Sequence, residues 1–309
     1  MEGLIDYAGL FPPAGLPLDQ SLMRYSMHAE SDERFILGRF ITPVFEVNDL
    51  AEMRAEQSIE ALPLSVIARA ADHTDALTQT LTEDLASLRL AENASGGAVR
   101  SEVVEIKLPG DAAQPGVMEH LIDSIAATGS NLRFFFEVPL LSGGLEAAYT
   151  VISAVKSSGS KLDTPGIKLR TGGLVPEAFP SPAEVSHIIA ACAEAQVPFK
   201  ATAGLHHPIR HHNPTIPTWE HGFLNVFGAA ALAYTHRLAP AQIEAVIRET
   251  RLNRFTASDE QFGWADILIS NDELISARRF ATSYGSCSFD EPVADLRAAG
   301  WLQVQDSVT

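Results

Sequence analysis

Several β-rich runs of the sequence carry charged residues two positions apart. Glu105 and Lys107 stand in EVVEIKLP, Lys168 and Arg170 in GIKLRTGG, and Lys200, Thr202 and Gly204 in PFKATAGL, while Glu137 follows the phenylalanines of LRFFFE. Side chains alternate along a strand, so residues two apart share a face. Charges facing outward beneath helices would still need partners, because Lys and Glu are rarely buried alone; a shared polar site meets that need directly. An amine is a nucleophile only when deprotonated, and desolvation or a second nearby cation lowers its pKa. Such a lysine attacks a carbonyl carbon to give an iminium, an electron sink for carbon–carbon bond cleavage or formation, and a carboxylate such as Glu105 can move the protons. These residues therefore point to a class I aldolase design. Lys168 and Lys200 stand on neighbouring runs with Glu105 two runs away, so one lysine can be the nucleophile and the other the cation that lowers its pKa, and Lys107 is a rival nucleophile.

The elements needed to position them are visible as eight β-rich runs separated by segments of helical periodicity. The runs are 4–10, 35–45, 62–70, 102–109, 132–141, 166–169, 197–204 and 222–228. Strand–helix alternation of this kind predicts a parallel α/β fold, and eight units predict a closed (β/α)8 TIM barrel with functional groups at the C-terminal ends of the strands. A doubly wound open sheet is the alternative, but the first loop, FPPAGLPLD, lacks its Gly-rich turn. Between the runs, SPAEVSHIIAACAEAQ shows the signals of a helix start, with Ser181 as N-cap, Pro182 at the first helical position and Glu184 three residues after the cap. After residue 240 three helix-like pieces follow with no clear strand. Residues 1–251 are thus assigned to the barrel and 252–309 to a C-terminal helical extension packed on it.

The same stretches resemble the deoxyribose-phosphate aldolase family, in order and spacing, from residue 4 to about residue 232. LIDYAGLFPP is similar to that family's opening Ile-Asp-His-Thr-x-Leu-x-Pro, with Asp6 on its Asp. EVVEIKLP resembles the strand bearing a catalytic Asp, at the position of Glu105, and FFFEVPLLS matches a Glu-Thr-x-Leu-Leu run through Glu137. GIKLRTGG looks like Lys-Thr-Ser-Thr-Gly, which implies that Lys168 is the Schiff-base lysine and that Thr171 and Gly172 follow it near substrate. PFKATAGL is similar to Lys-Ala-Ser-Gly-Gly-Ile, placing Lys200 on the second lysine and Gly204 on the second glycine, and VFGAAAL resembles the eighth strand. The departures matter too. Glu105 is one methylene longer than the family's Asp, and Ala229 and Ala230 stand where phosphate-binding serines are found. Lys107 and Arg170 add positive charge where the family has small or apolar residues. The expected substrate is therefore a small anionic carbonyl compound other than deoxyribose 5-phosphate, such as a carboxylate clamped by Arg170. Its binding residues are Asp6, Lys107, Glu137, Arg170, Thr171, Gly172, Gly204, His206 and Asn225.

Five of the ten histidines, His206, His207, His211, His212 and His221, lie within residues 206–221. They read as a polar loop above the barrel mouth, as substrate contacts, or, with Glu220, as metal ligands. The metal reading gives an alternative function, a metal-dependent hydrolase or lyase, but no H-x-H or H-E-x-x-H spacing supports it. No metal or cofactor is assigned. His206, two residues past Gly204 on the inward face, is the best site candidate. A non-catalytic ligand-binding barrel is the third reading, because the catalytic Asp and the phosphate serines are changed. A net charge of −17 disfavours nucleic acid and anionic membranes as partners. Cys192 and Cys287 form no disulfide framework, and the start has no signal-peptide pattern, so a cytoplasmic location is expected. A homo-oligomer is compatible with the sequence but not specified by it.

Overall fold

The computed structural model describes residues 1–55, 60–138, 140–159 and 161–302, with side chains omitted at 141–143. Pro139 of the fifth strand run, the Leu141 and Ser142 side chains of the matching motif, and residues 303–309 of the assigned extension lie outside what is described.

Seven of the expected runs form barrel strands: β1 (Ile5–Tyr7), β2 (Leu37–Pro43), β3 (Leu62–Ile67), β4 (Val99–Lys107), β5 (Arg133–Glu137), β6 (Gly166–Arg170) and β7 (Phe199–Thr202). The eighth strand is not 222–228. It is Ala281–Ser286, here β8, which pairs in parallel with β7 through Tyr284↔Ala201 and with β1 through Asp6↔Gly285, closing the barrel. The strand that seals the barrel therefore comes from the segment assigned to the extension.

The run 222–228 instead begins a helix. The helices between and after the strands are α1 (Leu18–Ala29), α2 (Val47–Ala55), α3 (Thr74–Ala94), α4 (Val117–Ala127), α5 (Leu140–Ser157), α6 (Pro182–Ala195), α7 (Phe223–His236), α8 (Pro240–Ile247), α9 (Asn271–Phe280) and α10 (Asp290–Ala298). Every residue of α7 from Phe223 to Ala233 is buried, so it shows no amphipathic period, and a short apolar run then reads equally well as a buried strand. Its alanines favour helix. At Gly228 the helix leaves room for a small antiparallel sheet (Phe255–Ala257, Gln261–Trp264, Ile267–Ser270), since a Cβ there would stand 3.0 Å from the Phe262 ring.

Strand β8, ATSYGS, was obscured by its polar composition, which has a structural cause. Ser283 faces the barrel axis, while Tyr284 packs outward, stacked on Phe223 at 5.6 Å. Outside the barrel, Leu, Ile, Val and Phe of the strands and helices make one continuous core. The helix-start signals at α6 are realised as a capping box, with Glu184 N–H donating to Ser181 Oγ and Ser181 N–H donating to the Glu184 carboxylate. Among the described residues no helix is long and apolar enough to cross a membrane.

Candidate active site

The barrel axis holds a chain of alternating charges. Arg170 Nε donates to Glu137 Oε1 at 2.9 Å, and Glu137 Oε2 lies 2.8 Å from Lys168 Nζ. Lys168 Nζ is also 2.8 Å from Glu105 Oε2, while the other oxygen of Glu105 accepts from Lys200 Nζ at 2.5 Å and from Ser65 Oγ at 2.6 Å. Lys200 goes on to donate to Asp6 Oδ2 at 2.8 Å, where Ser283 Oγ donates as well at 2.7 Å. Asp6 Oδ1 accepts from the Arg39 backbone N–H at 2.8 Å.

The strands bring these groups together by register. Glu137, Lys168 and Lys200 are neighbours across β5, β6 and β7, and all three point inward. Gly38 is required beside them, because a Cβ at that position would stand 2.4 Å from Asp6 Oδ1. Ser65, Ser283 and Arg39 are partners that sequence reasoning missed. A lone serine inside the apolar run LPLSVI was the available signal for Ser65.

Burial opposes charge on Glu105, Glu137 and Lys168, yet their partners prevail. Lys168 and Lys200 hold the Glu105 carboxyl well below the usual carboxylate range, and Lys168 and Arg170 do the same for Glu137. Glu105 and Glu137 in turn raise Lys168 above the ordinary lysine value. This corrects the expectation that Lys200 lowers the Lys168 pKa as an adjacent cation. The two lysines do stand on neighbouring strands, but the Glu105 carboxylate lies between their amines and outweighs the repulsion.

The remaining candidates divide. Lys107 is the register partner of Glu137 at the mouth; its side chain is exposed and has no ion pair among the described residues. Thr171 spends its hydroxyl on the Ala203 and Thr202 carbonyls, at 2.6 and 3.1 Å. Gly172 and Gly204 allow two loops to touch, since a Cβ on Gly172 would meet Gly204 Cα at 3.0 Å, and Gly204 has a φ of +74°. These three shape the rim. Asn225 lies outside the site altogether: in α7 its Oδ1 accepts from Arg210 N–H, and its Nδ2 donates to the Val246 and Glu249 carbonyls, each at 2.8 Å. Its inclusion followed from reading α7 as a strand.

Of the five histidines only His207 and His211 meet, their rings edge to face with centroids 4.4 Å apart. His211 and His212 lie in a hairpin (His211–Asn213 with Thr218–Glu220), His207 pairs with Asp295 of α10, and the buried His221 contacts the Pro180 carbonyl. Burial pushes His221 down to about 4, so it is neutral. No group of three His, Cys, Asp or Glu suited to a metal ion occurs among the described residues. His206 leaves the axis and turns toward α10, where its Nδ1 is 2.9 Å from Glu291 Oε2.

No protein-family model and no curated protein matches the sequence. Fold and site define the class: a parallel (β/α)8 barrel whose axis carries a buried, charge-compensated network ending in an exposed cationic rim.

Proposed function

We propose that the protein is a class I aldolase-like lyase in which Lys168 forms a Schiff base with a small anionic carbonyl compound. The observation that carries this reading is the Glu105 carboxylate held between the Lys168 and Lys200 amines, at 2.8 and 2.5 Å. The motif resemblance to the deoxyribose-phosphate aldolase family supports it. Buried lysines joined through one carboxylate are positioned to exchange protons, which iminium formation and carbon–carbon cleavage both require.

The resting Lys168 is an ammonium, so it must lose a proton before it attacks. The network suggests how an anionic substrate triggers this. Arg170, 42% exposed, holds one oxygen of Glu137 while Lys168 holds the other. A substrate anion that draws Arg170 to itself, with Lys107 beside it, leaves Glu137 the stronger base. Glu137 then takes the Lys168 proton, and the neutral amine adds to the carbonyl carbon. Glu137 gives that proton to the departing water as the iminium forms. Glu105 takes the proton of the hydroxyl on the leaving carbon as the carbon–carbon bond breaks with its electron pair moving into the iminium, and returns this proton to the resulting enamine, whose iminium water then hydrolyses to free Lys168.

Borohydride trapping with a panel of small aldehydes and 2-oxo acids, read by peptide mass spectrometry, tests this. The expected result is an adduct on Lys168 that disappears in Lys168→Ala. An adduct on Lys107 would move the nucleophile to that residue. No lysine adduct with any carbonyl, together with a thermal shift on adding a small anion, would replace the lyase with a ligand-binding barrel.

A further inference from the structure

A second set of reactive side chains stands at the rim, apart from the lysine network. Cys287 directly follows β8, and His206 lies just beyond the end of β7, so both sit at the C-terminal ends of adjacent strands, where barrel enzymes place their chemistry. Cys287 Sγ is 3.8 Å from His206 Nε2, and the opposite ring nitrogen, Nδ1, is 2.9 Å from Glu291 Oε2 in the first turn of α10. Two serines fix the turn that carries Cys287 and Glu291. Ser286 Oγ donates to the Ser288 carbonyl at 2.6 Å, and Glu291 N–H donates to Ser288 Oγ at 3.2 Å. The Ser286 carbonyl in turn accepts from Ala8 N–H at 2.7 Å, anchoring the turn to the first strand loop.

The arrangement excludes two other uses of these residues. Cys287 and Glu291 occupy opposite nitrogens of one ring, so the three groups cannot converge on a metal ion. The other cysteine, Cys192, is fully buried in α6 and cannot resolve a disulfide at the rim. What remains is the order nucleophile, base, orienting carboxylate, which is the logic of thiol acyl transfer. We propose that Cys287, His206 and Glu291 form a second nucleophilic site that cleaves a small ester or thioester through an S-acyl cysteine.

Burial lowers the His206 pKa, but Cys287 and Glu291 raise it to about 9, so the first half-reaction quickens as pH rises toward that value: Sγ bonds to the carbonyl carbon as its proton passes to the neutral His206 Nε2, and the carbonyl electron pair moves to oxygen. The bond to the leaving alcohol or thiol then breaks, and His206 returns the proton to that group. In the second, water adds to the acyl carbon, giving a proton to Nε2; the carbon–sulfur bond breaks, Sγ is reprotonated and the carboxylic acid leaves. Glu291 is a positioning residue, fixing the ring so that Nε2 faces sulfur. Solvent can reach the site for the second step, since the His206 and Glu291 side chains are 19% and 56% exposed. Among ionisable neighbours, Tyr7 of β1 is near enough for Cys287 to act on it electrostatically, and Asp290 is adjacent to Glu291 on α10.

The test uses the full chain and p-nitrophenyl acetate. A burst of one equivalent of nitrophenolate is expected, with the acetyl group on Cys287, and Cys287→Ala abolishes it. His206→Gln slows acetylation about 100-fold, the scale of general-base assistance. Glu291→Gln, a change on an exposed helix turn, slows it about tenfold and moves the rise of the acetylation rate with pH to lower pH, because His206 loses a carboxylate that raises its pKa. Acetylation confined to other residues overturns the proposal. So does acetylation of Cys287 at the rate of glutathione in the native chain, His206→Gln and Glu291→Gln alike. Borohydride adducts on Lys168 in Cys287→Ala show separately whether the lysine reading holds.

Discussion

Replacing Glu105 with Gln tests whether the axial network is held together as described. The two lysines approach different oxygens of Glu105, Lys200 at Oε1 and Lys168 at Oε2. Glutamine offers only one acceptor oxygen. Whichever way its amide turns, one ammonium faces an N–H2 group, and the two cations lose the anion between them. At an effective dielectric constant near 20, each of these close pairs has an attraction of roughly 6 kcal/mol, much of it offset by desolvation. Breaking a buried pair from one side costs about 3–5 kcal/mol, or about two to three and a half orders of magnitude in the unfolding equilibrium.

The pH dependence gives a second, independent readout. In the native protein Glu105 and Glu137 titrate below their unfolded value of about 4.3, so their contribution is present above that pH and lost below it. Lys168 titrates above about 10.4, so its contribution is complete below that pH and lost only as pH rises through the folded value. Stability should therefore be flat between these limits as far as the network is concerned. In Glu105→Gln one buried lysine has its pKa depressed, the unfolded chain binds more protons, and stability climbs with pH from 7 toward 10. Urea denaturation followed by circular dichroism at pH 7, 8.5 and 9.5 measures both effects. A variant within about 1 kcal/mol of the native protein at pH 7, with no upward slope, would refute the bridging role.

Gly38→Ala should destabilise by about 1–3 kcal/mol through overpacking, because its methyl would meet Asp6 Oδ1 at 2.4 Å; thermal unfolding reads it, and a neutral result would mean Asp6 is not seated against β2. Ser283→Ala removes a 2.7 Å hydrogen bond to buried Asp6 and should cost about 1–3 kcal/mol in urea denaturation, whereas Ser181→Ala at the α6 cap should cost about 1 kcal/mol.

Legibility in the sequence followed physics rather than position along the chain. Glu105, Glu137, Lys168 and Lys200 could be grouped because strand alternation alone puts them on inward faces, and the α6 start could be read because capping is a local interaction. Asn225 and the eighth strand depart from expectation for two reasons: α7 is buried on all sides and so has no period, while β8 gives its inward positions to Ser283 and Gly285 and looks like a loop. Cys287 and Glu291 stand close together on one turn, but His206 lies 81 residues before Cys287, and no spacing links it to them.

The sequence by itself determined the parallel barrel class and which charged side chains share its axis, because both depend on periodicities of neighbouring residues. Only the tertiary structure decided which strand closes the barrel and what stands between the two lysines. That second decision reverses the sign of the Lys168 shift, since a pKa responds to the nearest charge in space, and the nearest charges to Lys168 are Glu105 and Glu137.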